Sequence, residues 1–127
     1  MTVTEGIFEI GNPDENSPVL VTTNFALTYF IVSGEIEASR VPAWLLIKDS
    51  EGLSVLTAWA AGKFGGDDVG AFVKKSGIAD KVKTRELIIP GYAAAIAGDV
   101  EEELSGWTVT VGPREAAHIA GFLKARQ

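Results

Sequence analysis

Apolar residues fall in short unbroken runs along some parts of the chain and at helical spacing along others, and the two patterns alternate. Residues 43–47 (AWLLI) are continuously apolar, as a strand buried on both faces of a parallel sheet must be. Residues 19–21 form a shorter run of the same kind between Pro18 and the pair Thr22-Thr23. Residues 86–89 and 108–111 read as two further strands, stopped by Pro90-Gly91 and Gly112-Pro113. Helical patterns lie between them. One covers 25–32 with Asn24 as its N-cap, one covers 56–61, and a third opens on Asp67 and Asp68 with Val69, Phe72 and Val73 along one side. An alanine-rich helix spans 92–97, followed by Asp99 and Glu102 at capping-box spacing, and a last helix spans 114–126 with Pro113 suited to its first turn. Before all of these, Ile7, Phe8, Glu9 and Ile10 alternate like a short strand and run into the turn formers of 11–18. Residues 1–18 therefore read as a lead-in or linker, and 19–127 as the domain proper.

Strands alternating with helices predict an α/β fold, a Rossmann-like doubly wound, mostly parallel sheet with helices on both faces. Ligands of such folds sit in the crevice beyond the carboxyl ends of the strands. At those ends this chain carries Thr22, Thr23 and Asn24, then Ser54 and Thr57, then Pro90 and Gly91, then Gly112. Hydroxyls, helix N-terminal amides and glycines without side chains suit a large ligand decorated with amides. Strand-to-helix turns call for the same residue types whether or not a ligand is present.

Composition narrows the chemistry. A chain of 127 residues is one domain that needs no disulfide or structural metal to fold. Cysteine is absent, which removes disulfides, thiolate metal sites, iron-sulfur clusters and cysteine nucleophiles together. A net charge of −6 repels phosphate backbones and anionic lipid, so neither nucleic acid nor a membrane is an expected partner. The longest nearly apolar run, 25–32, is too short to span a bilayer, and a soluble cytoplasmic protein is expected. Lys74-Lys75 and the basic residues of 81–85 read as solvated faces and loop ends.

Familiar catalytic signatures fail in detail. Gly62, Gly65, Gly66 and Gly70 do not match the dinucleotide glycine pattern and follow a helix where that pattern follows a strand, while Lys63 is followed by Phe64 where a phosphate loop needs a hydroxyl. Residues 64–66 are expected to form a flexible loop. His118, the sole histidine, falls opposite the apolar face Ala116, Ile119, Ala120 and Leu123, so it should point to water. Asp67-Asp68 and Glu101-Glu102-Glu103 are adjacent carboxylates better explained by helix capping and dipole complementarity than by acid-base work. No serine has the context of a nucleophile elbow, and Trp44 and Trp59 are expected in the core.

The most informative stretch is 53–64 (LSVLTAWAAGKF), an apolar helical run that opens on hydroxyls, closes on a glycine and carries no charge before Lys63. Together with Thr22-Thr23-Asn24-Phe25, Pro90-Gly91-Tyr92 and Gly112-Pro113-Arg114-Glu115-Ala116-Ala117, it resembles the C-terminal corrinoid-binding domain of the large (gamma) subunit of the corrinoid iron-sulfur protein. The resemblance covers roughly residues 11–124. That family carries methyl groups in the acetyl-CoA synthase/CO dehydrogenase (Wood–Ljungdahl) pathway of anaerobes. Its cluster domain and central barrel have no counterpart in this chain.

The resemblance implies a cobamide (cobalamin-type corrinoid) whose cobalt cycles between cobalt(I) and methylcobalt(III). Its lower base would be off the metal, and no histidine would ligate it, in keeping with the absence of the D-x-H-x-x-G loop of methionine synthase-type domains. The cofactor-binding residues it implies are Thr22, Asn24, Ser54, Leu56, Thr57, Ala58, Pro90, Gly91, Tyr92, Gly112, Pro113 and Arg114. Thr57 would be nearest the lower face of the cobalt, with no strong protein ligand. A weak axial donor makes the nucleophilic, four-coordinate cobalt(I) state easier to reach, and the cofactor supplies the chemistry. No catalytic residue is implied: the domain is a carrier between a methyltransferase and a methyl-acceptor enzyme, with a small corrinoid-protein subunit or a reductive activator as further partners. Two other readings stand beside it, a Rossmann-like module for another cofactor or nucleotide, and an interaction domain with no small ligand.

Overall fold

The computed structural model describes residues 2–127. It contains strands β1 (Gly6–Ile10), β2 (Val19–Thr23), β3 (Ala43–Lys48), β4 (Glu86–Ile89) and β5 (Thr108–Val111). The helices are α1 (Ala26–Ser39), α2 (Val55–Ala60), α3 (Gly66–Ser76), α4 (Ala97–Glu103) and α5 (Ile119–Ala125). The strands form one five-stranded sheet in the order β1-β3-β2-β4-β5, all parallel except β1, which is antiparallel to β3. This is the Rossmann-like α/β architecture that the alternating pattern predicts.

The unbroken apolar runs are explained by two cores, one on each face of the sheet. Val19 and Val21 of β2 align with Trp44 and Leu46 of β3 and belong to a cluster with Val69, Phe72 and Val73 of α3 and Val100 of α4. Leu20 aligns with Leu45 and, with Ile47 and Ile88, faces Ile36 of α1 and Ile119 and Leu123 of α5. Alternate residues of one strand thus enter different cores, and no position on β2 can be polar at no cost. The periodicity of α3 is equally direct: Asp67 and Asp68 sit in its first turn, Lys74 and Lys75 in its last, and Gly77 ends it in the left-handed region at φ 81°.

Several local expectations are corrected. β1 lies inside the stretch 1–18 read as a lead-in, yet it pairs residue for residue with β3 from Gly6↔Ile47 to Ile10↔Ala43. The turn after it is also tied down, since Trp44 Nε1 donates to the Asp14 carbonyl at 3.0 Å and the Lys83 amide donates to the Glu15 carbonyl at 2.8 Å. α1 runs past residue 32 to Ser39, because residues 33–39 carry no proline and the interior Gly34 is tolerated. The buried Ser39 hydroxyl donates back to the Ile36 carbonyl and accepts the Val41 amide at 3.0 Å, turning the chain out of the helix. The alanine-rich stretch is a 3-10 helix, Gly91–Ile96, interrupted at Ala93, and α4 begins only at Ala97. Asp99 and Glu102 make no capping box there, for the N-cap is Ile96 and has no side-chain bond. The last helix likewise starts as a 3-10 turn, Ala116–His118, before α5.

Phe64 and Gly66 are not a loose loop. Phe64 is fully buried in the core shared with α3, a burial that contributes about 2 kcal/mol. Gly66 opens α3 where any side chain would strike Asp99. Trp44 is in the core as expected, whereas Trp59 is 40% exposed, because α2 is only six residues long and turns Ala58 alone into the interior.

Candidate functional site

The chain leaves β2 through α1 to reach β3 on one side, then crosses through α2 and α3 to reach β4 on the other, so the order reverses between β2 and β4. This is the switch point where ligands of open α/β sheets bind. The two strands pair only through Val19↔Leu87 and Leu20↔Ile88. Beyond Leu20 and Ile88 a cavity of about 260 Å³ opens. Its floor is Val21 and Thr22 of β2 with Ile89 and Pro90 after β4; Thr28 and Val32 of α1 wall one side. Ser54, Val55 and Leu56 at the start of α2 overhang it, and Tyr92, Gly112, Pro113, Arg114, Ala116 and Ile119 close the far side.

The lining is mostly apolar, holds no carboxylate, and has Arg114 as its cation. Among the described residues no cluster of histidine and carboxylate side chains could hold a metal ion. Among the polar lining residues Thr22 is the buried one. It is 2% exposed, lines the cavity, and its Oγ1 has no hydrogen-bond partner. Thr23, one residue on, is fully buried with Oγ1 equally unpartnered, but it points to the other face of the sheet and does not line the cavity. A buried hydroxyl without a partner costs about 1–3 kcal/mol, which a ligand reaching Thr22 would recover.

The far wall is knitted from two loops. The Gly91 amide donates to the Pro113 carbonyl at 3.1 Å, and the Gly112 amide to the Ile89 carbonyl at 2.8 Å. The Tyr92 hydroxyl donates to Glu115 Oε1 at 2.8 Å, and this bond, reinforced by the negative charge of Glu115, raises the phenol pKa above the ordinary tyrosine value.

Of the twelve binding residues the resemblance implies, Thr22, Ser54, Leu56, Pro90, Tyr92, Gly112, Pro113 and Arg114 line the cavity. The others sit elsewhere. Ala58 is fully buried beneath α2. Thr57 is exposed on α2, with Ser54 Oγ 3.1 Å from its Oγ1. Gly91 is buried against the backbone of 112–114. Asn24 is neither an N-cap, since Phe25 holds that place, nor part of the lining: its carboxamide bonds the loop 49–52. His118 is exposed, as its position opposite the apolar face requires. Sequence reasoning missed Thr28 and Val32, which belong to a helix read only as apolar, Val55, which lies in the run singled out for the ligand but was not itself named, and Ala116 and Ile119, which touch the cavity from the apolar face of the last helix. Their spacing within α1, Thr28 to Val32, was the available signal.

No helix among the described residues is long and apolar enough to cross a membrane. The chain is 52% identical over 123 residues to the corrinoid/iron-sulfur protein large subunit of Moorella thermoacetica, covering 97% of this chain and 27% of that protein. It is 47% identical over 122 residues to the acetyl-CoA decarbonylase/synthase complex subunit gamma of Methanopyrus kandleri, covering 96% of this chain and 26% of the relative. The subunit gamma of Methanocaldococcus jannaschii is 43% identical over 122 residues, covering 96% and 25%. The chain thus spans about a quarter of the length of these relatives. Residues 1–123 match the family described as CO dehydrogenase/acetyl-CoA synthase delta subunit, and the chain belongs to that family.

Proposed function

We propose that this chain is a corrinoid-binding methyl-carrier domain, equivalent to the C-terminal domain of the corrinoid iron-sulfur protein large subunit. The observation that carries the reading is the unpartnered Thr22 hydroxyl inside an apolar cavity at the sheet's switch point. A corrinoid is a broad, flat ring whose edge bears amides. The Thr22 hydroxyl matches those amides, and the apolar walls match the ring. A cavity of about 260 Å³ takes only part of such a ligand, and the rest would lie on a rim where Leu56 and Tyr92 are 49% and 40% exposed. Contiguous apolar surface at the mouth of a site also suits a partner protein. The partners we assign are a methyltransferase and a methyl-acceptor enzyme, with a small corrinoid-protein subunit or a reductive activator as further candidates, in the cytoplasm.

When bound, the corrinoid supplies a cobalt centre that accepts and surrenders a methyl group. The chain's own residues bind and orient it and withhold ligands. Thr22 and Ser54 offer hydroxyls to its amides, and the walls of Val32, Val55, Ile89 and Ile119 exclude water. Thr57, exposed on α2 next to Leu56 and outside the lining, would offer a metal near it only a weak hydroxyl donor. In this reading the domain orients the group and turnover belongs to its partners.

Reconstitution tests this directly. The purified protein, incubated with hydroxocobalamin and freed of excess, should retain visible corrinoid absorption; retention of ultraviolet absorption alone from a nucleotide would overturn the reading. The cobalt(II) form should show an electron paramagnetic spectrum without nitrogen splitting, unchanged by His118→Ala. Reduced holoprotein should take a methyl group from methyltetrahydrofolate only when a methyltransferase is added. Rapid transfer without one would make the chain an enzyme.

A further inference from the structure

Asn24 is 5% exposed at the end of β2, and its side chain turns away from the cavity toward the loop that joins β3 to α2. Its Oδ1 accepts the Ser50 amide at 3.0 Å and the Gly52 amide at 3.0 Å, and lies 3.1 Å from Ser50 Oγ, which also reaches the Leu53 carbonyl at 2.9 Å. Its Nδ2 donates to Asp49 Oδ1 at 3.2 Å, the same oxygen that accepts the Glu51 amide at 2.8 Å. One carboxamide therefore engages residues on both sides of Glu51, which is held in the left-handed region at φ 59°. A non-glycine residue adopts that conformation only when its surroundings enforce it. The other end of α2 is tied to the same loop, since Lys63 Nζ pairs with Glu51 Oε2 at 2.7 Å.

We infer that Asn24 is a positioning residue: without touching the ligand, it fixes the loop 49–53 and thereby the place of Ser54 and Leu56 at the overhang of the cavity. The ligand part of this inference rests on the corrinoid reading above; the clamp itself does not. Its logic is donor–acceptor matching. Position 24 must accept from two amides and donate to position 49, which only a carboxamide facing a carboxylate achieves here. Asn24→Asp keeps the acceptor, loses the donor and sets two carboxylates against each other. Asn24→Asp combined with Asp49→Asn reverses the polarity of that bond, restores one donor between the two positions and leaves the net charge unchanged, but takes from the Glu51 amide the acceptor it shares with Asn24, so it rebuilds the clamp in part.

The test uses the intact chain and two readouts. In Asn24→Ala and Asn24→Asp, the α2 amides of Ala58 and Ala61 should exchange with solvent about tenfold faster while those of β3 stay protected. Hydroxocobalamin binding, followed by absorbance, should weaken about tenfold in both. The double swap should recover part of both readouts relative to Asn24→Asp alone, a rescue that a general loss of packing would not show. Unchanged exchange in α2, or exchange in the swap no slower than in Asn24→Asp, overturns the clamp. Faster exchange with undiminished corrinoid affinity overturns its role in binding. If the unaltered protein binds no corrinoid, the functional reading fails while the exchange comparison still decides the clamp, and the swap carries that comparison should Asn24→Ala not fold.

Discussion

Gly91 and Arg114 meet backbone to backbone: a β-carbon added at Gly91 would lie 2.6 Å from the Arg114 nitrogen and 2.7 Å from the Gly112 carbonyl oxygen. Neither neighbour is a flexible side-chain tip that could swing aside. Gly91→Ala must therefore prise apart the two loops forming the far wall of the cavity, at an expected cost of about 1–3 kcal/mol in unfolding free energy. At Gly112 the nearest atoms, Ile88 Cγ2 and the Ile89 oxygen, are 3.1 Å away, so Gly112→Ala should cost less. Denaturant melts of the two variants check the order, and an equal or reversed order would sink it.

The paired hydroxyls of Thr22 and Thr23 offer an internal control. Valine matches threonine in shape, so Thr22→Val and Thr23→Val should each stabilise the protein by about 1 kcal/mol through removal of an unpartnered buried oxygen. Only Thr22 faces the cavity. Corrinoid titration should accordingly show weaker binding for Thr22→Val and none of that loss for Thr23→Val.

Leu56 is half exposed at the mouth, so its removal takes little from the core. Leu56→Ser is expected to move the unfolding free energy by less than about 0.5 kcal/mol. Corrinoid affinity should nevertheless fall, by about tenfold if the rim carries part of the ring. A variant that melts early but binds normally would assign Leu56 to the fold instead.

Alkaline titration probes the strap across the far wall. Because the bond to Glu115 raises the Tyr92 pKa in the folded protein, its contribution is complete below the pH at which an unfolded tyrosine ionises, about 10, and is lost as pH climbs through the folded value. Neutral and acidic conditions down to the carboxylate range leave it intact. In a Cζ-labelled nuclear magnetic resonance titration, Glu115→Gln should lower the Tyr92 midpoint; an unmoved midpoint would show that the bond is not formed in solution.

How much of this was legible in the sequence depended on how local each cause was. The runs in β2, β3 and β4 announced a two-sided sheet because both cores act on the same few residues. Asn24 was misread because its local context is that of a cap, while the partners that claim its side chain lie 25 to 28 positions downstream. β1 was legible as a short strand from the alternation of residues 7–10, but not as a member of the sheet, its pairing with β3 being non-local. The apolar character of 53–64 was real, but a helix as short as α2 puts Leu56, Thr57 and Ala58 on different sides about 100° apart, and only tertiary packing selects Ala58 as the buried one. Phe64 lies between Gly62-Lys63 and Gly65-Gly66, a context that suggests slack, yet its ring anchors the segment. Thr22 was legible as a strand-end hydroxyl; its lack of a partner was not.

The brevity of the β2–β4 ladder has a mechanical meaning. With only Val19↔Leu87 and Leu20↔Ile88 joining them, the halves of the sheet are stitched at one end and free at the other, like a clothes-peg whose jaws are the strand tips. Spreading those jaws sacrifices few interstrand bonds, while anything gripped between Thr22 and Pro90 opposes both further spreading and collapse. Cargo and clasp would then stiffen together, so the filled protein should resist heat and proteases better than the empty one for reasons of leverage as well as affinity.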